Sequence, residues 1–146
     1  MSPRFPLFMD LSGKKAVVIG GGQVGLRRAE ALRDFGAEVT VISPSLGRPL
    51  EGAAHLARAY RRGDLAGAIL AVAATDDRAV NHAVWEEARA GGVLVNVCDC
   101  RSECDFFFPA ICQAGNLVAG VVGDGGDPRR TARAAAAIRK TLEELP

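Results

Sequence analysis

Residues 14–29 leave few folds open to this chain. An apolar run, Ala16, Val17, Val18 and Ile19, meets Gly20, Gly21 and Gly22, and the apolar pattern then resumes at Val24, Ala29, Leu32 and Phe35. An unbroken apolar run is the pattern of a strand buried on both faces. The spacing after the glycines is that of a helix with one apolar face. Gly20, Gly22 and Gly25 satisfy G-x-G-x-x-G. In that motif the first glycine allows the tight turn out of the strand, the second lets a pyrophosphate approach the backbone, and the third lets the helix pack closely. Unpaired N–H groups at the helix start then meet the anion. A strand before the glycines and a helix after them supply the context that a bare motif lacks.

Further along, strand and helix signals alternate. Gly36 sits where a helix ends, residues 38–42 read as strand two, and Ser43-Pro44 closes it. The alternation over residues 56–60 reads as strand three, and residues 64–66 as a short helical turn. Residues 68–74 form a second apolar run and read as strand four. Thr75, Asp76 and Asp77 offer a cap for a helix carrying Val80, Ala83, Val84, Trp85 and Ala88, which stops near Gly91-Gly92. Residues 93–97 read as strand five. The expected fold class is α/β: a Rossmann-type open, mostly parallel sheet, ending in a short C-terminal strand-helix dimerisation segment. Residues 117–122 supply that strand, and Pro128 opens the last helix. The expected division is 1–113 for the dinucleotide-binding domain and 114–146 for dimerisation, because one strand and an alanine-rich helix make too little core to stand alone.

Composition removes several function classes. A net charge of +1 over 146 residues gives no bulk electrostatic case for nucleic acid. No run of about 18 apolar residues suggests a membrane span, and the stretch from Met1 to Pro6 lacks the apolar core of a signal peptide. A cytoplasmic protein is expected. Cys98, Cys100, Cys104 and Cys112 cluster without a disulfide pattern. Their spacing is not a standard zinc spacing, so no metal site is expected and small buried thiols are the simpler reading.

Open α/β sheets bind ligands beyond the carboxyl ends of their strands. Gly20, Ser43, Thr75 and Asp99 each follow a strand end and should share one edge. The acidic residue that usually holds the adenosine ribose is missing after strand two. Ser43 or Ser45 can bond a ribose hydroxyl instead, while Arg48 could face a 2′-phosphate, so spacing alone does not choose NAD over NADP.

Four pieces in order carry a resemblance: Phe5-Pro6-Leu7-Phe8; Val18-Ile19-Gly20-Gly21-Gly22-Gln23-Val24; Ala73-Ala74-Thr75-Asp76-Asp77 with Val80-Asn81; and Asn96-Val97-Cys98-Asp99 leading to Phe106-Phe107-Phe108-Pro109. With them the chain resembles the precorrin-2 dehydrogenase family, which includes the N-terminal part of siroheme synthase. The resemblance implies NAD-dependent oxidation of precorrin-2, a tetrapyrrole, to sirohydrochlorin on the route to siroheme, by a homodimer. It implies dinucleotide contacts at Gln23, Val24, Pro44 and Ser45, beside Gly20, Gly22, Gly25, Ser43 and Thr75. It also puts the acid–base aspartate on Asp99. Family members often carry hydroxyl-rich residues before the last helix, where this chain has Val122-Gly123-Asp124-Gly125-Gly126-Asp127-Pro128, and many continue into a helical region beyond the position of Pro146.

A substrate with several carboxylates needs cations, and Arg101, Arg129 and Arg130 are the candidates, the last two near a helix start that itself favours anions. Two rival functions stand beside this one: a non-catalytic dinucleotide-sensing regulatory module, and a sirohydrochlorin metal chelatase.

Overall fold

A computed structural model describes residues 3–146; Met1 and Ser2, which belong to the stretch read above for a signal peptide, lie outside the described residues. The chain divides into two compact units. One is Met9–Phe106; the other joins the N-terminal stretch up to Phe8 with Phe107–Pro146. The boundary expected at 113/114 falls inside a strand, because residues on both sides of it pair in one hairpin.

The larger unit is built on a five-stranded parallel sheet of order β3-β2-β1-β4-β5. Its strands are β1 (Lys15–Ile19), β2 (Glu38–Ile42), β3 (Ala54–Leu56), β4 (Leu70–Ala73) and β5 (Leu94–Val97). Helix α1 (Gln23–Asp34) follows β1, and α2 (Arg78–Gly91) follows β4. The sequence order reverses between β1 and β4, so one crossover runs to each side of that line. Every described residue of β4, and all but the first of β1, is buried, which is why both read as unbroken apolar runs. One face packs Val17, Ile19, Ala71, Ala73, Val95 and Val97 against Val84 and Ala88 of α2. Leu26, Ala29 and Leu32 are the buried stripe of α1.

Helix ends follow local chemistry. The Asp77 carboxylate accepts hydrogen bonds from the backbone N–H groups of Ala79 and Val80, which caps α2. At the end of α1 the N–H of Ala37 bonds the Leu32 carbonyl and the N–H of Gly36 bonds that of Arg33, the Schellman pair of bonds.

Strand three differs from its expected position. The ladder covers Ala54–Leu56 and stops where the alternation over 56–60 begins. Beyond Leu56 the side chains answer to long-range polar contacts. Arg58 forms a two-pronged pair with Asp64, at 2.9 Å on each side. Tyr60 donates to Glu87 at 2.7 Å, and Glu87 also accepts from the N–H groups of Gly63 and Leu65. Residues 64–66 lie in successive turns and form no helix.

In the smaller unit, β6 (Ala110–Ala114) and β7 (Leu117–Val121) form an antiparallel hairpin, and α3 (Pro128–Glu143) packs on both. Asp127 caps α3 by accepting from the Arg130 N–H at 2.9 Å. The Cys112 thiol, fully buried, donates to the Ala135 carbonyl at 3.2 Å. β6 was not anticipated, although Gly115-Asn116 between two apolar stretches is a two-residue hairpin signal. Cys112 and Ala135 are the buried hydrophobic residues of this unit among the described ones.

The Arg58–Asp64 pair has a pH signature. Hydrogen bonds from Arg58 hold the Asp64 carboxyl below its ordinary range, against a burial effect that raises it. A carboxyl depressed in the folded state stabilises fully above its unfolded pKa and loses that contribution as pH falls through the window below it. Asp64→Asn should therefore flatten the acid limb of urea-midpoint against pH, below about pH 4. Parallel limbs for the two proteins would assign acid sensitivity to other groups.

Candidate active site at the carboxyl edge of the sheet

Five parallel strands end in one row, and four backbone bonds tie their ends together. Ser43 N–H reaches the Leu56 carbonyl at 3.2 Å, Gly20 reaches Ile42 at 3.0 Å, Ala74 reaches Ile19 at 2.8 Å and Cys98 reaches Ala73 at 2.9 Å. The expected neighbours Gly20, Ser43, Thr75 and Asp99 therefore lie along a single edge, with the order reversal between Gly20 and Ala74. Such a reversal is where open sheets leave a crevice for ligands.

The glycines divide the labour. A Cβ on Gly20, where φ is +121°, would stand 2.3 Å from the Ala74 carbonyl oxygen. A Cβ on Gly25 would stand 2.3 Å from the Gly20 oxygen. Both positions are closed by protein, which fits the turn and packing roles. Gly22 is different: a Cβ there would meet nothing within 4 Å. It is also the N-cap of α1, and no side chain caps the helix. The ladder starts with Leu26 N–H on the Gly22 carbonyl, so the N–H groups of Gln23, Val24 and Gly25 have no intrahelical acceptor. A bare helix start beside an open glycine suits a phosphate.

Gly21 occupies a variable position of the motif, which gives it no role in the sequence pattern. A Cβ there would stand 2.2 Å from the Ser45 carbonyl oxygen and 2.8 Å from Ser43 Oγ, and the Gly47 N–H donates to the Gly21 carbonyl at 2.8 Å. The loop after β2 lies on the glycine turn itself. Within that loop Ser43 Oγ donates to the Ser45 carbonyl at 2.8 Å, which leaves the hydroxyl oxygen able to accept only. Pro44 and Ser45 are exposed. Arg48, considered for a 2′-phosphate, is ion-paired with Glu30 of α1.

Thr75 is held from below. Asn81, fully buried in the first turn of α2, accepts from the Thr75 hydroxyl at 2.7 Å and from its N–H at 3.1 Å, and returns its amide to the Thr75 carbonyl at 3.0 Å. The sequence signal was an asparagine on the apolar stripe with Val84 and Ala88.

At the end of β5 the chain does not stay extended. Cys100 N–H turns back to the Val97 carbonyl at 3.2 Å, leaving Asp99 exposed at the bend. The Asp99 Oδ1 accepts from Arg78 Nη1 at 2.7 Å, and Arg78 Nη2 meets Glu103. His82 Nδ1 donates to the other Glu103 oxygen at 2.7 Å. Burial pushes the Glu103 carboxyl up, but the bonds from His82 and Arg78 outweigh it and hold it below its usual range.

Cys98 and Cys104 make different contacts. Cys98 is exposed and Cys104 half-buried, unlike the buried thiols expected, and Cys98 donates to Asn96 Oδ1 at 3.6 Å. Cys104 accepts from the Val97 N–H at 3.2 Å and lies 3.2 Å from the Val97 carbonyl. Among the described residues no three His, Cys, Asp or Glu side chains converge as a metal site. Arg101 is exposed at the start of a 3₁₀ turn, Arg101–Glu103; Arg129 and Arg130 are exposed in the first turn of α3, in the other unit. Two recesses lie elsewhere, one around Arg62, Leu65, Glu87 and Val93, the other around Trp85, Arg89, Leu94 and Ser102. Neither includes the bare helix start or the glycine backbone that an anion needs, so the carboxyl edge is the candidate site.

Comparison with known proteins places the chain in a family. The sequence model of the family described as "Putative NAD(P)-binding" matches residues 7–110. The chain is 42% identical over 130 residues to a "Probable multifunctional siroheme biosynthesis protein HemA" of Ruminiclostridium josui, covering 85% of this chain and 25% of that protein. It is 42% identical over 134 residues to a siroheme synthase of Stutzerimonas stutzeri, covering 88% and 29%. The chain thus spans between a quarter and a third of these relatives' length. A solved structure titled "SirC, precorrin-2 dehydrogenase" superposes with a TM-score of 0.78 at 25% identity, covering 94% of this chain and 71% of that one. These likenesses match the resemblance read from the motifs. Among the described residues no helix is long and apolar enough to cross a membrane.

The contrast between two glycines gives a test. Gly22→Val should leave thermal stability close to that of the parent while NAD affinity falls at least about tenfold, since a side chain then occupies the phosphate's approach. Gly25→Val should lower stability itself, because its side chain has no room. Equal NAD titrations for the parent and Gly22→Val would remove the turn from the site.

Proposed function

The chain belongs to the NAD(P)-binding family whose sequence model covers most of it, and from that premise we propose that it is an NAD-dependent precorrin-2 dehydrogenase, an oxidoreductase converting precorrin-2 to sirohydrochlorin in siroheme biosynthesis. The observation that carries this reading is the bare start of α1 standing on the same strand-end row as Asp99. The neighbour titled precorrin-2 dehydrogenase, which covers nearly all of the chain, supports the choice of substrate.

The residues fit a dinucleotide, since the space at Gly22 is open and α1 lacks a side-chain cap. Gly22, with the backbone N–H groups of Gln23, Val24 and Gly25, would hold the pyrophosphate over the turn that Gly20 makes; Ser43, Pro44 and Ser45 would face the adenosine side, and Thr75 would border the crevice at the order reversal. NAD, when bound, accepts a hydride. The two-electron oxidation also releases a proton, and Asp99 takes it on Oδ2, its Oδ1 being engaged by Arg78. Arg101 of the larger unit would supply a cation for the substrate's carboxylates, and Arg129 and Arg130 of the smaller unit are further candidates. On this reading the enzyme is cytoplasmic.

A second copy completes it. The smaller unit buries little of its own apolar surface, and Phe5, Leu7 and Phe8 are 87%, 69% and 72% exposed in the single chain. We assign this unit, Phe107–Pro146 with the N-terminal stretch, to a homodimer contact. Sedimentation at micromolar concentration should give a dimer; a monomer there would refute the assignment.

Turnover is the direct test: NADH should appear when precorrin-2, NAD and protein are mixed. Binding of NAD without turnover would instead favour a dinucleotide-sensing module. Asp99→Asn should leave NAD binding intact and slow oxidation by about 10²- to 10⁴-fold. Cys98→Ala and Cys100→Ala should stay near the parent. The reverse pattern would move the proton to a cysteine.

A further inference from the structure

A chain of polar contacts runs from Asp99 back along α2. Arg78 and His82 are four residues apart on α2, so they share a face. The Arg78 guanidinium is a planar fork. One prong meets Asp99 Oδ1 at 2.7 Å and the other meets Glu103. Glu103 is the most sheltered member, its side chain 13% exposed, and its second oxygen is fixed by His82 Nδ1. On the far side of the ring, His82 Nε2 stands 3.3 Å from Glu86. Glu103 therefore holds Arg78 from behind while Arg78 holds Asp99 in front. Arg78 thus hydrogen-bonds the Asp99 side chain, which sits in a turn and is exposed.

An exposed ion pair does little for stability, typically less than about 1 kcal/mol. Geometry is another matter: displacing a reacting group by about 1 Å costs on the order of 10² in rate. We propose that Arg78, backed by Glu103 and His82, is the positioning residue that aims the Asp99 carboxylate, leaving Oδ2 to receive the proton. This deepens the reading of Asp99 given above and rests on it. Arg78 touches neither substrate nor cofactor in this role; it acts through Asp99.

A double-mutant cycle on the full chain, with precorrin-2 and NAD, tests it. Arg78→Ala should lower kcat by about 10- to 100-fold while NAD affinity and the unfolding midpoint hold. Arg78→Lys keeps the charge but loses the fork, and should recover only part of the rate. In an Asp99→Asn background, Arg78→Ala should cost no further rate, because there is no longer a base to aim. Additive losses in the cycle, or an unchanged kcat for Arg78→Ala, would overturn the proposal. A measurement without turnover separates this from the reaction itself. The NMR signal of the Arg78 Nε–H should shift in both Asp99→Asn and Glu103→Gln. If it shifts in neither, the clamp is refuted whatever the reaction. If it shifts in both while the parent protein fails to oxidise precorrin-2, the clamp geometry stands and the dehydrogenase reading falls.

Discussion

Four backbone hydrogen bonds at the carboxyl ends of the strands hold the whole edge in place. Each joins the first residue past one strand to the last residue of the next: Ser43 to Leu56, Gly20 to Ile42, Ala74 to Ile19, Cys98 to Ala73. Because the bonds continue the ladders, every strand stops at the same height. The loops that carry chemistry therefore start level with one another. A shift of one residue in β4 would turn its apolar side chains to the opposite face of the sheet. It would also move Thr75 out of line with Gly20. The buried core and the site are thus fixed by one register.

Above that row, the loops are kept close by the absence of side chains and by one buried amide. Gly20 and Gly25 allow contacts that no Cβ could share, and Gly21 lets the loop after β2 rest on the turn. Asn81 does the converse: it reaches up from α2 and satisfies the backbone N–H, carbonyl and hydroxyl of Thr75. A buried polar side chain is costly unless it is bonded, and Asn81 satisfies that condition by bonding the turn at the site. The turn is consequently ordered by the protein alone.

The sequence was most readable where one residue type does one local job. The apolar run of β1, its glycines and the stripe of α1 announced a strand, a turn and a helix in order. The Thr75-Asp76-Asp77 cluster, of which Asp77 is the cap, and Pro128 marked helix starts for reasons of chain chemistry that hold in any context. Strand three was misplaced because the alternation past Leu56 comes from Arg58 and Tyr60 reaching Asp64 and Glu87, which mimics a strand's period without a ladder. Gly21 was invisible because the motif treats its position as variable. The group of Arg78, His82, Asp99 and Glu103 could not be read at all, since its contacts span 21 and 25 residues and depend on α2 lying beside the end of β5. Gly20, Gly22 and Gly25 were legible from the glycine motif, and Ser43 and Thr75 from their place after strand ends, whereas Gln23, Val24, Pro44 and the role of Asp99 rest on the resemblance; the crowding around the glycines supplies physical reasons for the motif.

Cys104 and Asp105 have a consequence beyond the site. β5 is the last strand of its sheet, and such a strand offers its unpaired backbone groups to any extended chain nearby. Here the offer is withdrawn. The Val95 N–H donates to the Asp105 carboxylate at 3.1 Å, the Asp105 N–H donates to the Val95 carbonyl at 2.8 Å, and the Cys104 sulfur engages both backbone groups of Val97. The chain folds back to occupy its own sheet border. Strand addition at this border, whether by a neighbouring copy or in an aggregate, would first have to displace the segment that leads from Asp99 into the three phenylalanines.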